Sequence, residues 1–218
     1  MKWTGAAVLA VAVLASAASA DDALPPSYRG LNRTVTAQWD TWIGSGPGGI
    51  PADTYTENPD MGRWAYVQNN GAQYHPTVAG RTGVMELFAH DNLVFHLDNY
   101  PDGAWKKIRV QITLYQFPVP GDAGINVTTD AGTTILVLPE SCTWSYHMNN
   151  WITYACDYEI APNPAWEEIG LKFFTTDGAP NYPPWFVDQV TIDTFCPEPA
   201  TLGLLAVGGL ALLARRRR

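Results

Sequence analysis

The chain has 218 residues, with 13 Lys and Arg against 21 Asp and Glu, for a net charge of −8. Five of the basic residues sit at the two ends, Lys2 and Arg215, Arg216, Arg217 and Arg218, so the middle carries 8 basic against 21 acidic residues, a net charge of −13. Such a surface repels nucleic acid and anionic lipid, since neither can release counterions onto it, and leaves divalent cations and neutral glycans as plausible ligands.

Residues 1–20 have the form of a secretory signal read by the Sec export machinery. Lys2 is the basic region, Ala6–Leu14 the apolar core, and Ala18-Ser19-Ala20 a small-residue cleavage site. Residues 21–196 then form one domain, and 197–218 a separate tail. Strand patterns fill the domain. The clearest is Lys107–Phe117, where Ile108, Val110, Ile112 and Leu114 alternate with polar residues, the period of a strand with one buried face. Similar short runs are Thr34–Trp42, Arg63–Gln68, Val84–Ala89, Leu93–Leu97, Ile125–Thr129, Thr133–Leu138, Thr143–Met148, Trp151–Ile160, Glu168–Thr175 and Phe186–Phe195, each bounded by Gly, Pro, Asn or Asp. The stretches 44–59, 69–81 and 179–184 are rich in turn formers and read as long loops. Asn163–Glu168 reads as one helical turn, capped by Asn163 with Pro164 at its first position. No longer helical period is present. The pattern predicts an all-β jelly-roll β-sandwich of two antiparallel sheets, flanked by a signal helix and a short C-terminal membrane helix.

Export places the three cysteines in an oxidising compartment. Folding the stretch 142–156 about Asn149 puts Cys142 opposite Cys156, Trp144 opposite Tyr154 and Tyr146 opposite Ile152. That register sets the two sulfurs within bridging reach, and a Cys142–Cys156 disulfide is expected. Cys196 is left over. It is a free thiol, an intermolecular bridge or a buried residue with another partner.

No residue set announces a reaction. The four histidines lack the paired spacing of a zinc site, and there is no G-x-S-x-G elbow. Glu86, Glu140, Glu159 and Glu167 have no distinguishing context, and no enzyme is expected. Asp188 and Asp193 are the candidate ligands of a structural calcium ion, which would need further loop oxygens. Eight tryptophans remain once the signal is removed. Aromatic faces stack on sugar rings while polar neighbours bond the hydroxyls. Trp39, Trp64 and Trp144 are expected in the core. Trp42, Trp105, Trp151 and Trp185 lie in or near loops, and Trp105, Trp151, Tyr182 and Trp185 are the candidate ligand platform, with Tyr182 and Trp185 held in the rigid stretch NYPPWF.

The tail reads Pro197-Glu198-Pro199, then an uncharged run from Ala200 to Ala214, then the four arginines. As a helix the run reaches only ~22 Å at ~1.5 Å per residue, short of a ~30 Å hydrocarbon core. The basic end stays cytoplasmic, which puts the domain outside. This order of motif, span and basic terminus resembles the PEP-CTERM sorting signal of bacteria that use an exosortase. The resemblance implies a transient inner-membrane anchor, cleavage at or near Pro-Glu-Pro, and delivery to the cell surface or extracellular polysaccharide matrix. The domain is also similar to other PEP-CTERM proteins that begin near Pro25-Pro26-Ser27-Tyr28-Arg29-Gly30 and end in Asp188-Gln189-Val190-Thr191-Ile192-Asp193-Thr194, and the last strand resembles the closing strand of galactose-binding-type jelly rolls. A surface protein that binds polysaccharide is the expectation; the alternatives are a purely structural or adhesive surface protein and a carbohydrate-active enzyme.

Overall fold

The computed structural model describes residues 22–43, 49–88, 91–98, 100, 103–115, 125–129, 132, 134–164, 166–171 and 184–198. The expected signal, the apolar run 200–214 and Tyr182 lie outside these residues. Among the described residues no helix is long and apolar enough to cross a membrane.

Fourteen strands follow in order: β1 (Thr34–Trp39), β2 (Ile50–Pro51), β3 (Thr54–Asn58), β4 (Ala65–Asn70), β5 (Gln73–Val78), β6 (Arg81–Leu87), β7 (Asn92–Asp98), β8 (Lys106–Tyr115), β9 (Ile125–Thr129), β10 (Thr134–Val137), β11 (Ser141–Tyr146), β12 (Trp151–Ile160), β13 (Trp166–Leu171) and β14 (Trp185–Phe195). They build two antiparallel sheets. The larger runs β11-β12-β8-β14-β1-β3, with β6 beside the first residues of β14 and β5 beside β6; the smaller runs β10-β9-β13-β7-β4-β2. Val35, Ala37, Trp39, Ile108, Val110, Val190 and Ile192 of the larger sheet share one buried cluster with Val67, Leu93, Phe95, Leu97, Val127 and Ile169 of the smaller. The sheets therefore enclose a single core, as period-two alternation requires when each supplies one apolar face.

Three expectations about local structure are corrected. The predicted loops 44–59 and 69–81 contain strands β2, β3 and β5. Asn163–Glu168 is not a helical turn, because Trp166 already pairs with Asp98 and opens β13. Its Asn163 side chain instead donates to the Tyr100 carbonyl at 2.6 Å.

The hairpin register is as predicted: Cys142 pairs with Cys156, Trp144 with Tyr154 and Tyr146 with Ile152, and Cys142 and Cys156 form a disulfide. The turn is a short 3-10 segment, Met148–Asn150, with Asn149 and Asn150 at positive φ, a conformation asparagine tolerates better than most residues. Its tip meets that of the β5–β6 hairpin. There Ala79 and Gly80 both take positive φ, the two-residue turn that matches strand twist. A side chain on Gly80 would come within 3.2 Å of Asn149 Nδ2.

The outer face of the larger sheet is covered. Residues 22–33 lie across it as a strap. Arg29 donates from Nε and Nη2 to the two Asp193 carboxylate oxygens, each at 2.6 Å, and pairs with Asp22, which also accepts from Gln111 at 2.8 Å. Beside this, Arg109 makes a two-pronged pair with Asp157 at 2.7 and 2.6 Å. Gln111, Thr113, Thr153, Gln189 and Thr191 are buried although they face away from the core; Gln111 bonds the strap, and Thr153 bonds Thr113 and His147. Burial pushes the Asp193 carboxyl up despite Arg29, and pushes the Tyr28 phenol up beside it.

Candidate functional site

The residues singled out for a ligand platform are dispersed. Trp151 is 1% exposed, on the outer face of the larger sheet under the β5–β6 turn. Its Nε1 donates to the Ala79 carbonyl at 3.3 Å, and the Arg81 guanidinium lies 5.0 Å from its ring centre. Trp185 is 8% exposed and belongs to the core on the opposite face of the same sheet. Neither indole presents a face to solvent, which corrects the expected exposure of both. Trp42 is also buried, its Nε1 donating to the Asp188 carbonyl at 2.8 Å. Trp105 is half-buried, with Lys107 Nζ 5.8 Å from its ring centre.

Asp188 and Asp193 are both buried, the first because β14 bulges there. The register against β8 slips between Val187 and Gln189, so Asp188 is the extra residue. Each carboxylate holds a guanidinium, Asp188 that of Arg81 and Asp193 that of Arg29, and Thr36 Oγ1 adds a bond to Asp193 at 2.7 Å. A cation at either would have to displace an arginine, so the pair suits an ion-pair role better than calcium ligation.

The accessible aromatic side chains lie elsewhere. Trp64, expected in the core, is 44% exposed. It immediately precedes β4 and shares the outward phase with Tyr66, while Ala65 and Val67 point into the core. Tyr66 pairs across the ladder with His96 of β7, and His96 with Glu168 of β13. Trp166 pairs with Asp98. A continuous row results: Trp64 to Tyr66 at 4.9 Å between ring centres and 30° between planes, Tyr66 to His96 at 4.7 Å and 16°, and His96 to Trp166 at 5.2 Å and 30°. The Tyr66–His96 spacing follows from the ~4.8 Å separation of paired strands, while Trp64 reaches Tyr66 along one strand and Trp166 reaches His96 on the diagonal.

Stacking fixes what the row can present. The inner rings are packed face to face and offer their edges to solvent; Trp64, at the end, has one face against Tyr66 and much of its surface open. His96 is positioned by its ring neighbours. Its Nδ1 is enclosed without a hydrogen-bond partner among the described residues, and Nε2 lies 3.5 Å from Asp98 Oδ1. Burial, then the nearby Glu168 and Asp98 carboxylates, push the Tyr66 phenol up. Aromatic edges and one open indole face, interleaved with carboxylates and with the exposed Gln68, form a surface of mixed apolar and hydrogen-bonding character.

The sequence carried a signal for this row. Tyr66 and His96 occupy the polar phase of strands whose other phase is Val67, Phe95 and Leu97, where aromatic rings are not needed for the core.

A second exposed group lies where the free edges of the two sheets run together. Trp144, also expected in the core, is 55% exposed on edge strand β11, with Tyr146, Met148, Leu136 and Leu138 exposed as well. This group has apolar rather than mixed character.

The described residues thus define an all-β protein of two antiparallel sheets with an aromatic row on the smaller sheet's outer face. Residues 196–218 match the PEP-CTERM protein-sorting motif, which marks the chain for export and surface sorting. No curated protein matches the chain. Among solved structures it is similar to a family GH115 4-O-methyl-α-glucuronidase with specificity for decorated arabinogalactans, at 15% identity and a TM-score of 0.37, over 65% of this chain and 19% of that one. It is also similar to the exo-β-1,3-galactanase of Phanerochaete chrysosporium, at 12% identity and 0.33, over 64% and 30%. A third similarity is to a CBM35 module from Cellvibrio japonicus, at 9% identity and 0.29, over 62% and 98%. The chain spans less than a third of the length of the two enzymes. Scores this low bear on neither its ligand nor its activity.

Proposed function

We propose that this is an exported surface protein that binds polysaccharide without turning it over. The observation that carries it is the row Trp64–Tyr66–His96–Trp166, standing on the outer face of the smaller sheet. A sugar ring stacks on the open face of Trp64, and its hydroxyls bond along the ridge to ring edges, carboxylates and Gln68. In the same proposal the run 200–214 anchors the chain transiently in the inner membrane, an exosortase cuts at or near Pro197-Glu198-Pro199, and the domain is left outside, as a jelly-roll sandwich.

Affinity electrophoresis through gels containing neutral or charged polysaccharides tests the binding. Retardation is expected in at least one gel and is lost in Trp64→Ala and Trp166→Ala, with the melting temperature little changed. Equal mobility in every gel refutes the proposal, and reducing sugar released from matrix extracts refutes its non-enzymatic part. Loss of the host's exosortase should leave the protein full length in the membrane fraction. An adhesive role is the second possibility, favoured by the apolar edge around Trp144 and Tyr146.

A further inference from the structure

On the strands that carry the aromatic row, the charge is one-sided among the described residues. The six strands of the smaller sheet contain no Lys or Arg. Their outward phase carries two carboxylates, Asp98 opposite Trp166 and Glu168 opposite His96. Glu168 has no ion pair among the described residues, and Asp98 faces only the His96 imidazole at 3.5 Å. Arg63, next in sequence to Trp64, lies over the Tyr100 ring, 5.0 Å from its centre. On the larger sheet Asp157, Asp188 and Asp193 each hold an arginine, while Glu86 pairs with His75. The rings of the row are stacked and take up their own faces, so the attraction for a cation comes from the two carboxylates beside them, which also repel an anion.

We infer that this face takes a glycan bearing protonated amines, a partly or fully N-deacetylated hexosamine polymer, in preference to a neutral or uronate-bearing one. The inference rests on the polysaccharide function proposed above and names its ligand class. Stacking holds the sugar ring on Trp64, while the ammonium groups lie along the Asp98–Glu168 side of the row. A uronate chain meets the same carboxylates with like charge and is rejected.

Isothermal titration of the full chain tests this, using hexamers of glucosamine, of N-acetylglucosamine and of a uronic acid, at a mildly acidic pH where the amines carry protons. The glucosamine hexamer should bind about tenfold tighter than the neutral one, a difference of about 1.4 kcal/mol, and the uronate hexamer should not bind. The preference should shrink in ~1 M salt, where the Debye length falls to ~3 Å. In Asp98→Asn/Glu168→Gln the ratio of glucosamine to N-acetylglucosamine hexamer affinity should fall from about tenfold to parity, whatever the absolute affinities, whereas Trp64→Ala should lose binding of both. Tighter binding of the neutral or uronate hexamer, or a preference that survives the double variant, overturns the assignment of ligand class and leaves polysaccharide binding intact. Binding of none of the three, with no retardation in any gel, overturns both.

Discussion

Lys106 of β8 and Glu167 of β13 form an ion pair across the interior, each side chain fully enclosed and each from a different sheet. The pair closes the end of the core where Tyr100, Asn163 and Cys196 also meet. Two enclosed charges are a poor source of net stability, because desolvation offsets their attraction, but removing one partner strands the other.

Glu167→Gln is therefore expected to destabilise the fold by about 3–5 kcal/mol in chemical denaturation. Replacing both, Lys106→Met with Glu167→Leu, should come out near neutral. A single variant as stable as the parent would show that the ammonium is not enclosed.

Reduction of the Cys142–Cys156 bridge should lower stability by about 3 kcal/mol, the chain-entropy value for a loop of this length. The melting temperature should fall by about 10 °C. Cys142→Ser/Cys156→Ser should reproduce the fall and lose all sensitivity to reductant. Cys196 should not interfere, since burial pushes its thiol up and away from the reactive thiolate.

Asp157 supplies an acid-sensitive contribution. Burial alone would raise its carboxyl, but the paired bonds from Arg109 outweigh it and hold the group below the usual carboxylate range. A depressed folded value means the contribution is complete above the unfolded pKa of ~3.9 and is lost as pH falls through the lower folded value. Both side chains are about a fifth to a quarter exposed, so solvent screening limits the effect to at most ~1 kcal/mol. Asp157→Asn should flatten that part of the acid limb, and an unchanged limb would place the sensitivity elsewhere.

A chelator should leave the melting midpoint unchanged, because Asp188 and Asp193 are committed to Arg81 and Arg29. A lower midpoint with chelator, restored by calcium, would show that a cation displaces one of those arginines.

Strands were legible where an apolar phase repeats, as in β8, and the hairpin register was legible because its length and its cysteines leave one pairing that sets both sulfurs opposite. Strands β3 and β5 were hidden because they lie at or near the sheet's margin and bury little. TYTEN and QYHPTV need no apolar phase, and Pro76 mimics a loop. Misplaced tryptophans have one physical cause. Alternation assigns side chains to two phases but does not say which phase another segment covers. Trp151 shares its phase with Thr153 and looks solvated, yet a turn some seventy residues earlier in the chain closes over it. Trp144 shares the apolar phase with Tyr154 and looks buried, yet edge strand β11 leaves it open. The row around His96 crosses three strands distant in sequence, so its members could be suspected singly but not joined.

Phe195 is still paired with Thr34 and Lys107, and Pro197 comes two residues later. Asn32 Nδ2 then donates to Glu198 Oε1 at 2.7 Å. There is no slack between the last rung of the ladder and the sorting signal. A protease that cut at Pro-Glu-Pro, as proposed above, would work against the rim of a finished wall, and what it released would carry almost no trailing stub.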